Sequence, residues 1–149
     1  MLAVIQRVTH ANVVVNNNNI GAIQQGIVAL LAVEKGDGET QVKQLINRIL
    51  KYRIFADSDD KMNLSLLDIG GGLLLVPQFT LAADTKKGTR PSFTPAAPPS
   101  IARPLFNYAI SHARQLHTNI ACGEFGTDMQ VSLCNDGPVT FILKSNSNS

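Results

Sequence analysis

Ile27-Val28-Ala29-Leu30-Leu31-Ala32-Val33, entered through Gly26, is the longest uninterrupted apolar run in the chain. A run with no polar position suits a strand covered on both faces. Periodicity alone does not exclude a buried helix, but the β-branched content and the shortness favour the strand. The run is far too short to span a bilayer. Immediately downstream, Val42, Leu45, Ile46, Ile49 and Leu50 recur at three- and four-residue spacing, with Lys43, Asn47 and Lys51 opposite them. That pattern predicts an amphipathic helix between Gly38 and Tyr52.

Upstream, residues 2–8 and 11–15 read as two β-rich stretches. The polar run 16–19 supplies residues that tolerate left-handed turns, so a hairpin is expected into 20–25. Downstream, 57–61 reads as a polar turn, and the glycines 70–72 mark another before a strand over 73–81. Residues 82–99 hold four of the seven prolines and predict an irregular, exposed loop. A second helix is expected over 100–116, with Leu105, Tyr108, Ala109 and His112 on one side. Pro104 must then lie near its start or kink it. An alternating strand over 128–134, a turn at Asn135-Asp136-Gly137-Pro138 and a last strand over 139–143 complete the reading. The sum is a single α/β domain over 1–143, with mixed and antiparallel β-sheets and helices packed on one side. A disordered polar tail is expected over 144–149.

Composition narrows the function. With 149 residues and 44% hydrophobic content, the chain can bury one core. The net charge of +2, from 13 basic and 11 acidic residues, is too small for binding nucleic acid by charge alone. Any RNA contact must be local. Cys122 and Cys134 supply neither a disulfide framework nor a zinc site, and free thiols in a reducing cytosol are expected. Gln6 and Arg7 interrupt the first apolar stretch, so a secretory signal is not expected.

Several constellations fail on inspection. Asp57, Asp59 and Asp60 would begin a calcium loop, but Met62 stands where the obligatory glycine belongs and Asp68 holds the last ligand position. His112 and His117, five apart on a helix, face different ways. The triple glycine precedes a strand rather than a helix, so it does not cradle a phosphate. There is no nucleophile elbow and no placed carboxylate pair. An enzyme here would work without a charged triad.

Three ordered segments carry a resemblance: Pro77-Gln78-Phe79-Thr80-Leu81-Ala82-Ala83-Asp84, Arg90-Pro91-Ser92-Phe93 and Asn135-Asp136-Gly137-Pro138-Val139-Thr140. Together with Ile5-Gln6-Arg7-Val8, Tyr52-Arg53-Ile54-Phe55 and Lys61-Met62-Asn63, they resemble the D-aminoacyl-tRNA deacylases of the D-tyrosyl-tRNA(Tyr) deacylase family. The likeness covers residues 1–143. It implies a cytoplasmic homodimer that hydrolyses tRNA charged with a D-amino acid or glycine, with no cofactor, no metal, no membrane and no DNA partner.

The resemblance also assigns roles. Gln78, Phe79 and Thr80 form the catalytic segment: the Phe79 main-chain N–H acts as oxyanion donor, and Gln78 positions the ester and the terminal ribose. Gly137-Pro138 is a cis pair whose carbonyl oxygens enter the partner subunit's site, holding the substrate ammonium and filling the space an L side chain would need. Arg7 supports that pair. Lys86, Lys87 and Arg90 are candidate phosphate contacts. Nothing in the sequence gives Thr80 a base, so a structural or positioning role is expected for its hydroxyl. Many relatives carry Ser where this chain has Pro77, so position 77 is expected to donate no essential hydrogen bond. Two rivals remain open: a Thr-dependent hydrolase of other small esters or amides, and a non-catalytic RNA-binding module.

Overall fold

The computed structural model describes residues 1–145. The chain runs β1 (Leu2–Val15), β2 (Asn18–Ile23), β3 (Gly26–Ala32), α1 (Glu39–Lys51), β4 (Phe55–Ala56), β5 (Met62–Leu64), α2 (Leu66–Ile69), β6 (Gly72–Pro77), α3 (Pro99–Leu116), β7 (Ile120–Cys122) and β8 (Gln130–Lys144). The spine is β1. One of its edges pairs antiparallel first with β3 and then with β2, while the other pairs with β8 from Leu2 to Val14. β6 joins β3 in parallel, and β7 joins β6 in parallel. The result is the expected mixed α/β architecture, with a separate two-stranded sheet of β4 and β5.

The aliphatic run behaves as its composition demands. Ile27, Ala29 and Leu31 of β3 and Leu73 and Leu75 of β6 face one core, shared with Val42, Leu45, Ile46 and Ile49 of α1 and with Leu105, Phe106 and Ala109 of α3. Val28 of β3 and Leu74 and Val76 of β6 face a second core with Val8, Val13 and Ile23, where β1 and β2 cover the sheet's other side. Both helices thus pack on one side, and β3 is covered twice. Each such aliphatic side chain contributes roughly 1.5–3 kcal/mol on burial. The β3–β6 pair starts at two facing glycines, Gly26 and Gly72. A Cβ at Gly26 would lie 1.9 Å from the Gly72 carbonyl oxygen, so the backbones meet where no side chain fits.

Several boundaries differ from the sequence reading. The two N-terminal stretches are one strand, and the irregularity between them is a register shift between Val8 and Ala11. The hairpin turn is tighter than expected: Asn16 and Asn17 alone take positive φ, at 49° and 65°. A short helix, α2, was not anticipated. It is capped at Ser65, whose hydroxyl accepts from the Asp68 N–H while the Asp68 carboxylate accepts from the Ser65 N–H. Asp57 closes the polar turn by accepting from the N–H groups of Asp59 and Lys61 and from the Asn63 side chain. The Asn63 bond, followed by the backbone bond from Lys61, lowers the Asp57 pKa below the usual carboxylate value.

β6 ends at Pro77 instead of continuing to 81, because the chain turns into a 3-10 helix at Phe79–Ala82. α3 runs through Pro104, which lies exposed in its second turn. At the C-terminal end, the expected turn and two strands are one strand with a bulge: between Val8↔Asn135 and Gln6↔Thr140, the four residues 136–139 of β8 are set against Arg7 alone of β1. Lys144 closes β8, and the Ser145 N–H donates to the Met1 carbonyl. The first two residues assigned to the tail therefore belong to the sheet margin, while 146–149 lie outside the described residues.

Where α1 meets α3, His112 Nε2 lies 2.9 Å from Asn47 Oδ1 and the ring stacks on Tyr108. Burial, reinforced by the charge of Lys43, holds the His112 pKa below its ordinary value of 6.5. The unfolded chain therefore takes up the proton more readily, so this contribution to stability is present above about pH 6.5 and is lost as pH falls through the lowered folded value. We expect denaturant melts at about pH 8 and about pH 5 to show a larger acid loss in the wild-type protein than in His112→Gln. Equal losses would exclude His112 as the source.

Candidate active site

Gln78, Phe79 and Thr80 lie together where β6 leaves the sheet. The Gln78 N–H still donates to the Leu31 carbonyl of β3 at 2.7 Å, anchoring the exit. The first turn bonds behind it run from the Leu81 N–H to the Gln78 carbonyl and from the Ala83 N–H to the Thr80 carbonyl. The N–H groups of Phe79 and Thr80 precede the first closed ring of the turn, so the helix itself gives them no acceptor. The Gln78 side-chain amide donates to the Thr80 hydroxyl at 3.2 Å. The Thr80 hydroxyl thus holds the Gln78 side chain.

Pro77 fits this exit without loss. Along β6 the Leu73 N–H donates to Asn119 on the β7 side, whereas the Gln78 N–H points to β3. By the alternation of the ladder, the nitrogen of residue 77 faces the β7 side, where pairing has already stopped at Leu75↔Cys122. No strand donor is missing there.

These residues border a cleft of about 600 Å³. Phe79 is 55% exposed, and its ring packs on Phe93 with centroids 5.2 Å apart. Pro98 and Pro99 at the start of α3 and Phe125 and Met129 from the segment between β7 and β8 complete the apolar walls. Arg103 lies over the Phe125 ring, 4.9 Å from its centroid. Among the described residues, Asp128 is the one titratable group lining the cleft, and no histidine lines it. The arrangement can bind an apolar ring and present main-chain donors to a carbonyl oxygen, but it offers Thr80 no histidine or lysine as a base. A second depression, open and bordered by Ser111, Arg114 and Cys122, lies away from this segment.

Lys86, Lys87 and Arg90 stand exposed on a loop that is itself closed. Asp84 and Ser92 exchange backbone hydrogen bonds at 2.7 and 2.9 Å, and Asp84 Oδ1 accepts from the Lys86 N–H. The loop links the 3-10 turn to Phe93, and both of those ends line the cleft.

Gly137 and Pro138 occupy the β8 bulge, joined by a cis bond and exposed. Neither lines the cleft of its own chain. Arg7 reaches the bulge from β1: its Nε donates to the Asp136 carbonyl at 3.0 Å, and a terminal nitrogen donates to the Ile54 carbonyl at 2.8 Å. Asn135 holds the other end. Its amide nitrogen donates to the carbonyls of Arg7 and Val139, and its oxygen accepts from the Val139 N–H. The sequence reading quoted Asn135 without giving it a role, and it did not single out Phe125 or Met129. A pairing mismatch between distant strands leaves no local signal, and the cleft's far wall is assembled from a segment some fifty residues downstream of Gln78.

A cleft at the carboxyl end of a parallel strand, built on main-chain donors and a glutamine, defines a small single-domain α/β protein without a charged triad. The family model described as D-Tyr-tRNA(Tyr) deacylase matches residues 4–144, and the chain belongs to that family. It is 59% identical over 144 residues to a D-aminoacyl-tRNA deacylase of Janthinobacterium sp. (strain Marseille), covering 97% of each chain. It is 53% identical to one of Pseudomonas fluorescens (strain Pf0-1), covering 97% of this chain and all of the other. A solved structure described as c-Myc DNA Unwinding Element Binding Protein is 38% identical, with a TM-score of 0.94 over 98% of this chain and 99% of that one. A probable eukaryotic D-amino acid tRNA deacylase shares the fold at 15% identity, with a TM-score of 0.80 over 95% of this chain and 97% of the other.

Proposed function

We propose that the protein hydrolyses the ester bond of D-aminoacyl-tRNA, releasing the free D-amino acid and the tRNA, and that it also accepts glycyl-tRNA. The observation that carries this reading is the Gln78-Phe79-Thr80 turn, which presents free main-chain N–H groups beside an oriented glutamine amide in a cleft without a histidine. Water attacks the ester carbonyl, the Phe79 N–H stabilises the oxygen that gains charge, and the bond to the ribose oxygen breaks as that oxygen takes a proton. Gln78 positions the ester and ribose, and the 2′-hydroxyl of the terminal adenosine assists. An ester is already activated, so this modest assistance suffices.

Rejection of L-aminoacyl-tRNA is assigned to Gly137 and Pro138 of a second copy of the chain, which makes the homodimer the active form. Their exposure, and their separation from their own chain's cleft, support delivery across a subunit boundary. Their carbonyl oxygens accept from the substrate ammonium and occupy the room an L side chain needs. Glycine, having no side chain, passes. Lys86, Lys87 and Arg90 would contact phosphates near the acceptor end, and the protein would act in the cytoplasm on charged tRNA. The DNA-binding name of one structural neighbour belongs to that protein. A net charge of +2 favours a locally docked RNA end over a DNA duplex here.

The deciding experiment compares D-tyrosyl-, L-tyrosyl- and glycyl-tRNA with purified protein and no added metal. We expect release of D-tyrosine and glycine while the L-ester is spared. Equal hydrolysis of both enantiomers would sink the reading, and so would small D-amino-acid esters cleaved as efficiently as charged tRNA. Binding of charged tRNA without turnover would instead point to an RNA-binding module.

Two variants separate roles. Thr80→Val removes only the hydroxyl that accepts from Gln78, a bond worth about 1 kcal/mol, so kcat/KM is expected to fall by no more than about tenfold. A loss beyond roughly 10,000-fold would reinstate the hydroxyl as nucleophile. Arg7→Ala releases one end of the bulge, and turnover is expected to fall roughly tenfold to a hundredfold while the Kd for tRNA stays within about twofold. A parallel rise in Kd would make Arg7 an RNA contact instead.

A further inference from the structure

We infer that Asn135 is a positioning residue for chiral rejection, acting through the geometry of Gly137 and Pro138. The inference rests on the reading that this pair is the selector. Where four residues of β8 are set against one of β1, the ladder cannot supply regular partners to the backbone between Asn135 and Thr140. One side chain supplies two of those partners and reaches across to β1 for a third bond. Asn135 Oδ1 accepts from the Val139 N–H at 3.1 Å, while its Nδ2 donates to the Val139 carbonyl at 2.9 Å and to the Arg7 carbonyl at 3.1 Å. The first two bonds close a short ring across Asp136, Gly137 and Pro138. The third ties that ring to β1.

This clamp differs in kind from the one Arg7 makes. The Arg7 side chain fixes the entry to the bulge at Asp136, whereas Asn135 fixes its exit at Val139 and sets the span between the two ends. Gly137 and Pro138 are exposed, so packing does not set their positions. Val139, the next residue, is buried and provides the fixed point from which Asn135 works. The chemistry requires an amide. An aspartate of the same shape keeps the acceptor but turns its second oxygen towards two carbonyl oxygens, replacing two attractions with repulsions. A carbonyl pair displaced by about an ångström no longer fills the space it is meant to deny, so L-aminoacyl-tRNA gains access while D-aminoacyl-tRNA loses its ammonium contact.

The test measures kcat/KM for D-tyrosyl- and L-tyrosyl-tRNA with wild-type protein, Asn135→Asp, Asn135→Ala and Gly137→Ala, alongside melting temperature and oligomeric state. Gly137→Ala perturbs the selector directly: Gly137 has φ +147°, and an added Cβ would meet the Val139 side chain at 2.5 Å. We expect the D-to-L ratio to fall roughly tenfold to a hundredfold in Asn135→Asp, with a lowered melting temperature but the same oligomeric state. Asn135→Ala is expected to do the same, so a variant that does not fold leaves the other to decide. A merely structural role would lower the amount of active protein and leave the ratio intact. An unchanged ratio in the Asn135 variants, with a lowered ratio in Gly137→Ala, overturns the inference alone. An unchanged ratio in all three overturns the assignment of the pair as selector as well.

Discussion

The mismatch between β1 and β8 is the constraint around which this molecule is organised. Two long antiparallel strands share a boundary of more than a dozen residues, yet one carries more chain than the other can pair. Buried backbone groups without partners are costly, so the surplus persists only because side chains take over from the ladder. Arg7 and Asn135 do so from opposite ends. Arg7 also reaches the Ile54 carbonyl, which binds the segment after α1 into the same node. A local excess of backbone thereby becomes a fixed projection from the sheet.

The rest of the architecture prepares the cleft. Close approach of Gly26 and Gly72 sets the start of the β3–β6 pair, six aligned residue pairs carry it to Leu31 and Pro77, and the chain then turns sharply out. Because β3 and β6 are buried on both faces, the position of that turn is fixed by packing on two sides. The apolar walls keep the local dielectric low, which strengthens what a few main-chain dipoles can do for a developing charge. Lys86, Lys87 and Arg90 stay outside the cleft lining, on a loop closed by Asp84 and Ser92.

Much of this was legible in the sequence, and the exceptions have physical causes. The twice-covered strand and the first helix follow from composition and period alone, because burial on both faces or on one stripe leaves a direct imprint. Gln78, Phe79, Thr80, Gly137, Pro138 and Arg7 were located through the resemblance, and composition alone would have left them an ordinary strand end and turn. Boundaries failed where tertiary pairing overrides local preference. The strand expected to reach residue 81 stops at Pro77, and Asn135-Asp136-Gly137-Pro138, a turn by every local rule, is a bulge because β1 continues alongside it. The short α2 helix was hidden because one capping interaction at Ser65 decides it, with no periodic pattern to detect.

Pro77 carries one more meaning. A parallel strand that ends with an ordinary residue offers its neighbour one more rung, and an extended peptide wandering into the opening could dock there as an additional strand. Here the rung is gone: the ring nitrogen turns towards the side where β7 has stopped, and its Cδ lies 3.4 Å from where a Cβ on Gly123 would be. The opening is thereby closed to the addition of a strand, so a single imino acid sets the border between sheet and cleft.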